Sequence, residues 1–177
     1  ADYVLREMRN KSGGFFCAQD ADSDGEEGKY YLFTPGEVIG ILGEKNGTNF
    51  NSIFDITEEG NFDGMSIPNL LKSGELLPYG DRVREGDMET VYAYRKKRTS
   101  LHLDDKILTS WNAFMIAGLA LLYRVSKQEK YLNAAQDAVS FIRRNLQDGD
   151  ILYSSWRAGK RGASGFLDDY AFYIFAL

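Results

Sequence analysis

The second half of the chain alternates helical segments that have two different hydrophobic patterns. The segment 107–125 is apolar on nearly every face, and 169–177 begins a second segment of the same kind. Between them, 129–146 carries its apolar side chains in one stripe and polar or charged side chains elsewhere. A helix that is apolar all round is buried on most faces, whereas a one-faced helix lies at the surface. The pattern therefore predicts helical hairpins with buried inner helices and exposed outer ones.

A short acidic phrase precedes each of the two apolar segments. The phrases are Leu103-Asp104-Asp105 and Leu167-Asp168-Asp169. Helix N-termini carry free N–H groups and partial positive charge, so aspartates are stabilised there. The repetition predicts a unit that places two carboxylates at the N-terminus of a buried helix each time. A ring of such helices would gather carboxylates at one end of the fold, as sugar chemistry requires.

The first hundred residues predict shorter elements. Thr34-Pro35-Gly36-Glu37 has the order of a helix start, with threonine as the N-cap, and Gly43 should end that helix. The other expected elements are strands at 15–17 and 29–33, a mostly irregular stretch over 46–80 with a short helix near 50–54, and a helix over 81–98.

These patterns favour a mainly α protein, an α/α toroid or a related helical array. The alternative is a solenoid of short repeats. The all-round apolar inner helices and the strand-like segments before helix starts argue against that alternative. At 177 residues the chain is long enough for a sizeable core, and we expect 1–177 to be part of a single domain.

Charge and composition exclude several classes of partner. The net charge of −5 argues against nucleic acid, and we find no apolar run of membrane-spanning length. Cys17 is the only cysteine, so no disulfide framework exists, and no signal peptide is visible. A reducing cytoplasmic setting is the simplest interpretation.

Carboxylates near the apolar segments are the candidates for catalysis. Glycoside hydrolysis needs two carboxyl groups that flank the bond, and Asp105 and Asp169 form the natural pair. Asp104 is a further catalytic candidate, and His102 is a candidate general base of a sugar epimerase. The alternative is that each Asp-Asp pair only caps a helix.

Nearby aromatic, amide and cationic side chains are candidates for substrate binding. The tryptophans can stack on a pyranose ring or pack in the core, and the cations of the 157–161 hairpin can bind an anionic group or form a solvated turn. The substrate-binding candidates of this region are Trp111, Asn112, Trp156 and Arg157, with Lys160 and Arg161 beside Arg157.

The acidic loop 20–27 matches the first half of a calcium loop, D-x-D-x-D-G. Tyr31 stands at the twelfth position, where an EF-hand needs glutamate, so an EF-hand is not expected. A different calcium site, a solvated turn, and a cleft in which Asp20 and Asp22 bind substrate remain alternatives. No cluster has zinc-ligand spacing. We expect neither a metal nor a cofactor.

Several long phrases resemble one family, the bacterial YyaL proteins and the animal spermatogenesis-associated protein 20. The phrases are Gly13-Gly14-Phe15-Phe16, Gln19-Asp20-Ala21-Asp22-Ser23, Gly25-Glu26-Glu27-Gly28-Lys29-Tyr30-Tyr31, Glu59-Gly60-Asn61-Phe62 and Leu103-Asp104-Asp105-Lys106-Ile107-Leu108-Thr109-Ser110-Trp111-Asn112. That family joins a thioredoxin-like domain to a C-terminal region similar to six-hairpin glycosidases and N-acylglucosamine epimerases. The resemblance implies a partial (α/α)6 toroid with short β-hairpins in its loops, a fragment without the thioredoxin-like domain.

The resemblance also sets the functional expectations. The first is a carbohydrate-active domain, a glycoside hydrolase or a sugar epimerase-like protein, that is inactive as an isolated fragment. The alternative is a non-catalytic α/α scaffold or partner-binding region attached to a thioredoxin-like module. Because inner helices of a partial toroid leave apolar faces uncovered, we also expect a homo-oligomer.

Overall fold

The computed structural model describes residues 1–72 and 82–177, which cluster into two compact units. Unit 1 comprises Ala1–Gln19 and Leu103–Leu177, and unit 2 comprises Asp20–His102. The elements in chain order are α1 (Asp2–Glu7), β1 (Ala18–Gln19), β2 (Asp22–Ser23), β3 (Glu26–Glu27), a 3-10 turn (Lys29–Tyr31), α2 (Pro35–Leu42), α3 (Glu44–Ile53), α4 (Asp87–Arg95), β4 (Leu103–Asp104), β5 (Ile107–Leu108), α5 (Thr109–Ser126), α6 (Glu129–Asn145), β6 (Gln147–Asp148), β7 (Ile151–Leu152), β8 (Ser155–Arg157), β9 (Lys160–Arg161) and α7 (Leu167–Ala176).

Unit 1 is built around α5, which packs against both α6 and α7. Helix α5 ends where Lys127 adopts a left-handed conformation, and α6 begins two residues later, as in a helical hairpin. One face of α6 is buried against this core, as its single apolar stripe requires. The fully or nearly buried residues of α6 are Tyr131, Ala134, Ala135, Ala138, Phe141 and Ile142.

Short antiparallel strands connect the helices of unit 1. Strand β1 pairs with β4, β8 pairs with both β5 and β9, and β6 and β7 form a hairpin. The segment before β1 passes close over α6, because a Cβ on Gly14 would lie 2.9 Å from a ring carbon of Phe141. This close passage ties the N-terminal segment to the helical core.

Unit 2 contains the helices α2, α3 and α4. Helices α2 and α3 cross closely at Gly47, where a Cβ would lie 2.5 Å from the Cα of Ile39. Asp24 and Gly25 both have positive φ and form the two-residue turn of the β2–β3 hairpin. The apolar core of this unit is made by Phe33, Val38, Leu42, Phe50, Ile53, Phe54, Ile56 and Val91.

The mainly α composition is confirmed, and the toroid remains a prediction. The helix start at Thr34 is confirmed, since its side chain accepts a hydrogen bond from the Glu37 N–H and Gly43 follows the last helical residue. The order of helix, one-faced helix, hairpins and helix in unit 1 is also confirmed. Within the described ranges, the helices are too short or too polar to cross a bilayer.

Five local expectations were wrong. The strand expected at 15–17 forms at Ala18–Gln19 instead, and Phe15 makes only an isolated bridge. Residues 29–31 form a 3-10 turn, and 107–108 form a strand that precedes the helix. Helix α3 spans Glu44–Ile53, whereas only a short helix near 50–54 was expected, because its crossing with α2 buries a weakly apolar sequence. The helix expected over 81–98 covers only Asp87–Arg95, and Asp81 lies outside the described residues.

The expected burial of α5 on most faces is also wrong. Trp111, Phe114, Leu121 and Val125 are between 50% and 78% exposed. They lie on one stripe with Gly118, at successive spacings of three and four residues. Helix α7 reaches one end of this stripe, since the Phe172 ring lies 4.2 Å from the Phe114 ring, but all four side chains remain at least half exposed.

Candidate functional site

The two Leu-Asp-Asp phrases occupy different structural settings. Asp168 and Asp169 lie in the first turn of α7, as expected. Asp104 lies in β4, Asp105 lies in the turn before β5, and the first turn of α5 contains no acidic residue. The expected carboxylate pair at the N-terminus of α5 is therefore absent, because the residues between Asp105 and the helix pair as a strand.

Asp169 contacts the beginnings of two helices. Its side chain is buried, at 2% exposure. One carboxylate oxygen accepts a hydrogen bond from the Ser110 N–H at 3.0 Å, and the other accepts from the Phe166 N–H at 2.9 Å. Both groups are N–H donors at helix starts that have no partner within their own helix. Asp169 thus satisfies donors of α5 and α7 with a single carboxylate.

Strand β5 explains why α5 depends on a cap from another helix. Ile107 is fully buried opposite Trp156 of β8, and the Thr109 N–H donates to the carbonyl oxygen of Ser154 at 3.0 Å. The N-cap residue Leu108 has no side-chain oxygen that could accept from the helix. Asp169 supplies the missing acceptor.

Asp105 forms an ion pair with Arg157. The Arg157 Nε lies 2.5 Å from the Asp105 Oδ1, and the side chains are 57% and 44% exposed. The pair joins the turn before β5 to the end of β8. An exposed pair of this kind contributes about 0–1 kcal/mol to stability. The ion pair matters more for the possible chemistry of Asp105, because Arg157 already neutralises the charge of this carboxylate.

Asp104 is also engaged with a neighbouring cation. The Lys106 Nζ lies 3.1 Å from its Oδ2, and this contact holds the pKa of Asp104 below its usual value. The Cys17 thiol donates to the carbonyl oxygen of Asp104 at 3.5 Å. Burial is the main reason why the pKa of Cys17 is raised, and the Asp104 side chain adds to that effect.

The candidate binding residues of unit 1 differ in exposure. Asn112 is 1% exposed, and its side chain bonds to the backbone of Phe15 and to the Leu108 carbonyl oxygen. Trp156 is half-buried and packs edge-on against Phe141, with ring centroids 5.4 Å apart. Trp111 is 56% exposed on the open stripe of α5. Of these three side chains, only that of Trp111 has most of its surface accessible to a ligand.

The remaining candidates belong to unit 2. The Asp20 Oδ1 accepts from the Asp22 N–H at 3.1 Å, which is the local turn bond typical of aspartate. His102 is exposed, and its carbonyl oxygen accepts from the Asp20 N–H at 2.8 Å. Across residues 1–72 and 82–177, no group of three or more histidine, cysteine or acidic side chains is arranged to hold a metal ion.

Arg98 organises unit 2 and is not among the residues that the sequence pattern predicts as functional. Its guanidinium donates to the carbonyl oxygens of Lys29, Tyr30 and Leu32 and pairs with Glu37 at 2.7 Å. It also stacks on the Phe33 ring, with 4.3 Å to the centroid. Arg98 is the last of four consecutive basic residues, 95–98. Nothing in the sequence pattern distinguishes it from the other three, so its role could not be predicted.

The same glutamate borders a surface depression of about 760 Å³ between α2 and α4. Tyr94 also lines it, and a hydrogen bond to Glu37 raises the pKa of Tyr94. Glu89 and Lys97 complete its charged rim. None of the sequence-based candidates lies among the residues that line this depression.

Comparison with known proteins finds relatives that match nearly the whole chain. It is 30% identical over 216 residues to spermatogenesis-associated protein 20 of Homo sapiens, an alignment that covers 97% of this chain and 27% of that protein. The Rattus norvegicus protein of the same name gives 30% identity over 215 residues, with the same coverage. The chain is related to spermatogenesis-associated protein 20. An uncharacterised protein of Caenorhabditis elegans is 29% identical over 98% of the chain. No family model matches.

The relationship confirms the resemblance inferred from the sequence phrases. The chain spans about a quarter (27%) of the length of spermatogenesis-associated protein 20. The alignment is longer than the chain, with 216 residues against 177, so the relatives carry internal residues that have no counterpart here. Activities of the longer proteins therefore apply to this chain only as proposals.

Proposed function

We propose that this chain is a non-catalytic α-helical scaffold. The observation that supports it most is the setting of Asp169, whose two carboxylate oxygens each accept a backbone hydrogen bond while the side chain is 2% exposed. A catalytic carboxyl group must reach the bond it cleaves or the proton it transfers. A buried carboxylate that accepts hydrogen bonds from backbone N–H groups at two helix starts has a structural role instead.

Three further predicted site residues of unit 1 support the same conclusion. Asp105 is paired with Arg157, and Asp104 is paired with Lys106. Asn112 uses its amide to join the segment at Phe15 to α5. Residues that were expected to converge on a substrate thus have partners within the protein.

We propose a second copy of the chain as the partner of this scaffold. The open stripe of α5 consists of Trp111, Phe114, Gly118, Leu121 and Val125, and its spacing of three and four residues is that of a helix–helix seam. Apart from neighbouring backbone of its own helix, no described residue lies within 4 Å of the position of a Gly118 Cβ, so another helix can approach there.

The order of side chains along the stripe makes it complementary to itself. In an antiparallel pair with a two-fold axis at Gly118, Trp111 would meet Val125 of the second copy, and Phe114 would meet Leu121. Each large ring then faces a smaller aliphatic side chain, as an isologous interface requires. Burial of such a stripe would remove an exposed apolar patch from water.

A carbohydrate-active domain is the second candidate, and the exposure of Trp111 favours it. Trp111 is 56% exposed, and an open indole face is the platform on which a pyranose ring stacks. In this alternative Asp105 leaves Arg157 when a sugar binds and acts in hydrolysis or epimerisation. Asp104 and Arg157 would be its polar neighbours in the longer protein.

Sugar binding separates the two proposals. We would titrate the chain with a panel of monosaccharides and disaccharides and record two-dimensional NMR spectra, with Trp111→Ala and Asp105→Asn as matched variants. The scaffold proposal expects no saturable shift of the Trp111 or Asp105 signals. Saturable binding that both variants abolish, with folding intact, would overturn it and support the carbohydrate-active alternative.

A further inference from the structure

The end of α6 and the β8–β9 hairpin border an open depression of about 580 Å³ on unit 1. The charged side chains that line it are Arg144, Lys160 and Arg161, and no carboxylate is among the lining residues. The segment 143–161 contains five lysines and arginines and two aspartates, within a chain whose net charge is −5. The depression is therefore a locally basic site on an acidic protein.

Helix capping explains only part of this charge. Cations are favourable at the C-terminus of a helix, where carbonyl groups carry partial negative charge. Arg161 serves that purpose, because its guanidinium donates to the carbonyl oxygens of Asn145 and Gln147, each at 2.9 Å. It also lies 3.5 Å from Asp148 and stacks over the Tyr153 ring. These contacts hold Arg161 in place and cover the carbonyls that would repel an anion.

Lys160 contributes a cation that makes no ion pair with the described residues. It follows the two-residue turn Ala158-Gly159 and is exposed. Among the residues that the structure describes, Lys160 has no carboxylate within ion-pair distance. Arg144 also lines the depression; its guanidinium donates one long hydrogen bond of 3.3 Å to the Ser12 carbonyl oxygen and keeps further donors. Two cations with unused donors thus face the same space.

We propose that this depression binds a phosphate or sulfate group, which Lys160 and Arg144 contact directly. A tetrahedral dianion matches converging ammonium and guanidinium donors. The half-buried indole of Trp156 also lines the depression and offers an apolar face beside the anion. The ligand class is therefore an anionic group that is free or carried on a small ring-bearing molecule. This proposal does not depend on the scaffold proposal.

Calorimetric titrations test the site, with inorganic phosphate, glucose 6-phosphate and glucose as probes at low ionic strength. We expect phosphate and glucose 6-phosphate to compete for one site, and glucose to show no heat of binding. Tighter binding of glucose 6-phosphate would identify a phosphorylated small molecule as the ligand class, and equal binding would identify the anion alone. Absence of phosphate binding, or equal binding of glucose, would overturn the proposal.

Charge variants locate the site. Lys160→Gln should weaken phosphate binding about tenfold, because one charge-assisted hydrogen bond is lost. Lys160→Arg should retain binding. Lys45→Gln, which removes the same charge from unit 2, is the matched control and should bind as the wild type does. An equal Kd for Lys160→Gln and the wild type would overturn the assignment, and circular dichroism of each variant verifies folding.

Discussion

The carboxylate of Asp169 lies 3.0 Å from the backbone nitrogen of Ser110, a residue 59 positions earlier in the chain. Its second oxygen accepts from the Phe166 N–H, within its own helix start. Because α5 begins immediately after a strand whose last residue has no side-chain acceptor, this contact replaces a local N-cap. The relationship fixes the start of α7 against the start of α5.

Loss of this double cap should destabilise unit 1. We expect Asp169→Ala to lower the free energy of unfolding by at least about 2 kcal/mol, since two buried N–H donors lose their acceptor. Asp169→Asn should lower the free energy of unfolding by less, because the amide retains one oxygen that can still accept one of the two hydrogen bonds. Urea unfolding followed by circular dichroism measures both. Asp168→Ala, at the exposed neighbour, is the control, and an equal loss in that variant would contradict the assignment.

The close crossing of α2 and α3 gives a prediction with a matched control. Alanine normally stabilises a helix relative to glycine by about 1 kcal/mol. At Gly47 the added Cβ would lie 2.5 Å from the Cα of Ile39, so we expect Gly47→Ala to destabilise by about 1–3 kcal/mol. At Gly40 of α2 nothing lies within 4 Å, and Gly40→Ala should stabilise. Thermal unfolding of the two variants should therefore shift in opposite directions, and a shared direction would exclude the close crossing.

Cys17 should react slowly with alkylating reagents near neutral pH. Burial, the contact with Asp104 and the charge of that side chain all raise its pKa. A raised pKa keeps the thiol protonated to higher pH, and only the thiolate is alkylated. The midpoint of the rate–pH profile with iodoacetamide should lie above that of the urea-unfolded chain and should fall in Asp104→Asn. Coincident profiles for folded and unfolded chain would show that the thiol is not in this environment.

Self-association should depend on the open stripe of α5. Leu121 is 57% exposed near the middle of that stripe, and a lysine there would place like charges at the proposed two-fold interface. We expect light scattering at rising concentration to show a dimer for the wild type and a monomer for Leu121→Lys. Gln136→Lys introduces the same charge on the exposed face of α6 and should remain dimeric. A wild type that stays monomeric would refute the second copy as partner.

The sequence predicted those elements whose signals are local. Thr34 caps α2 because its neighbours Pro35 and Glu37 complete a start signal within four residues. The one-faced pattern of α6 likewise required only the helical period. Only the last turn of α3 was predicted, because the stability of this helix comes from the crossing at Gly47 and not from its own composition.

The sequence predicted which residues belong to the candidate site, but it did not predict the role of each residue. The repeated Leu-Asp-Asp phrase predicted that Asp105 and Asp169 are equivalent carboxylates. The structure separates them, because Ile107 and Leu108 pair with β8 and displace Asp105 from the helix start. Such pairing between residues about 50 positions apart is not visible in a local pattern. Arg98 was missed for the same reason, since its acceptors at 29–32 lie far away in sequence.

Hydrogen exchange at two backbone amides tests most directly whether Asp169 is an architectural residue. In the wild-type chain the Ser110 and Phe166 N–H groups should exchange slowly, because each donates to a buried carboxylate. We expect Asp169→Ala, at a pH where the variant remains folded, to speed exchange at both amides while the middle of α6 keeps its protection. Unchanged exchange at Ser110 and Phe166 would contradict the double cap and return Asp169 to the candidates for catalysis.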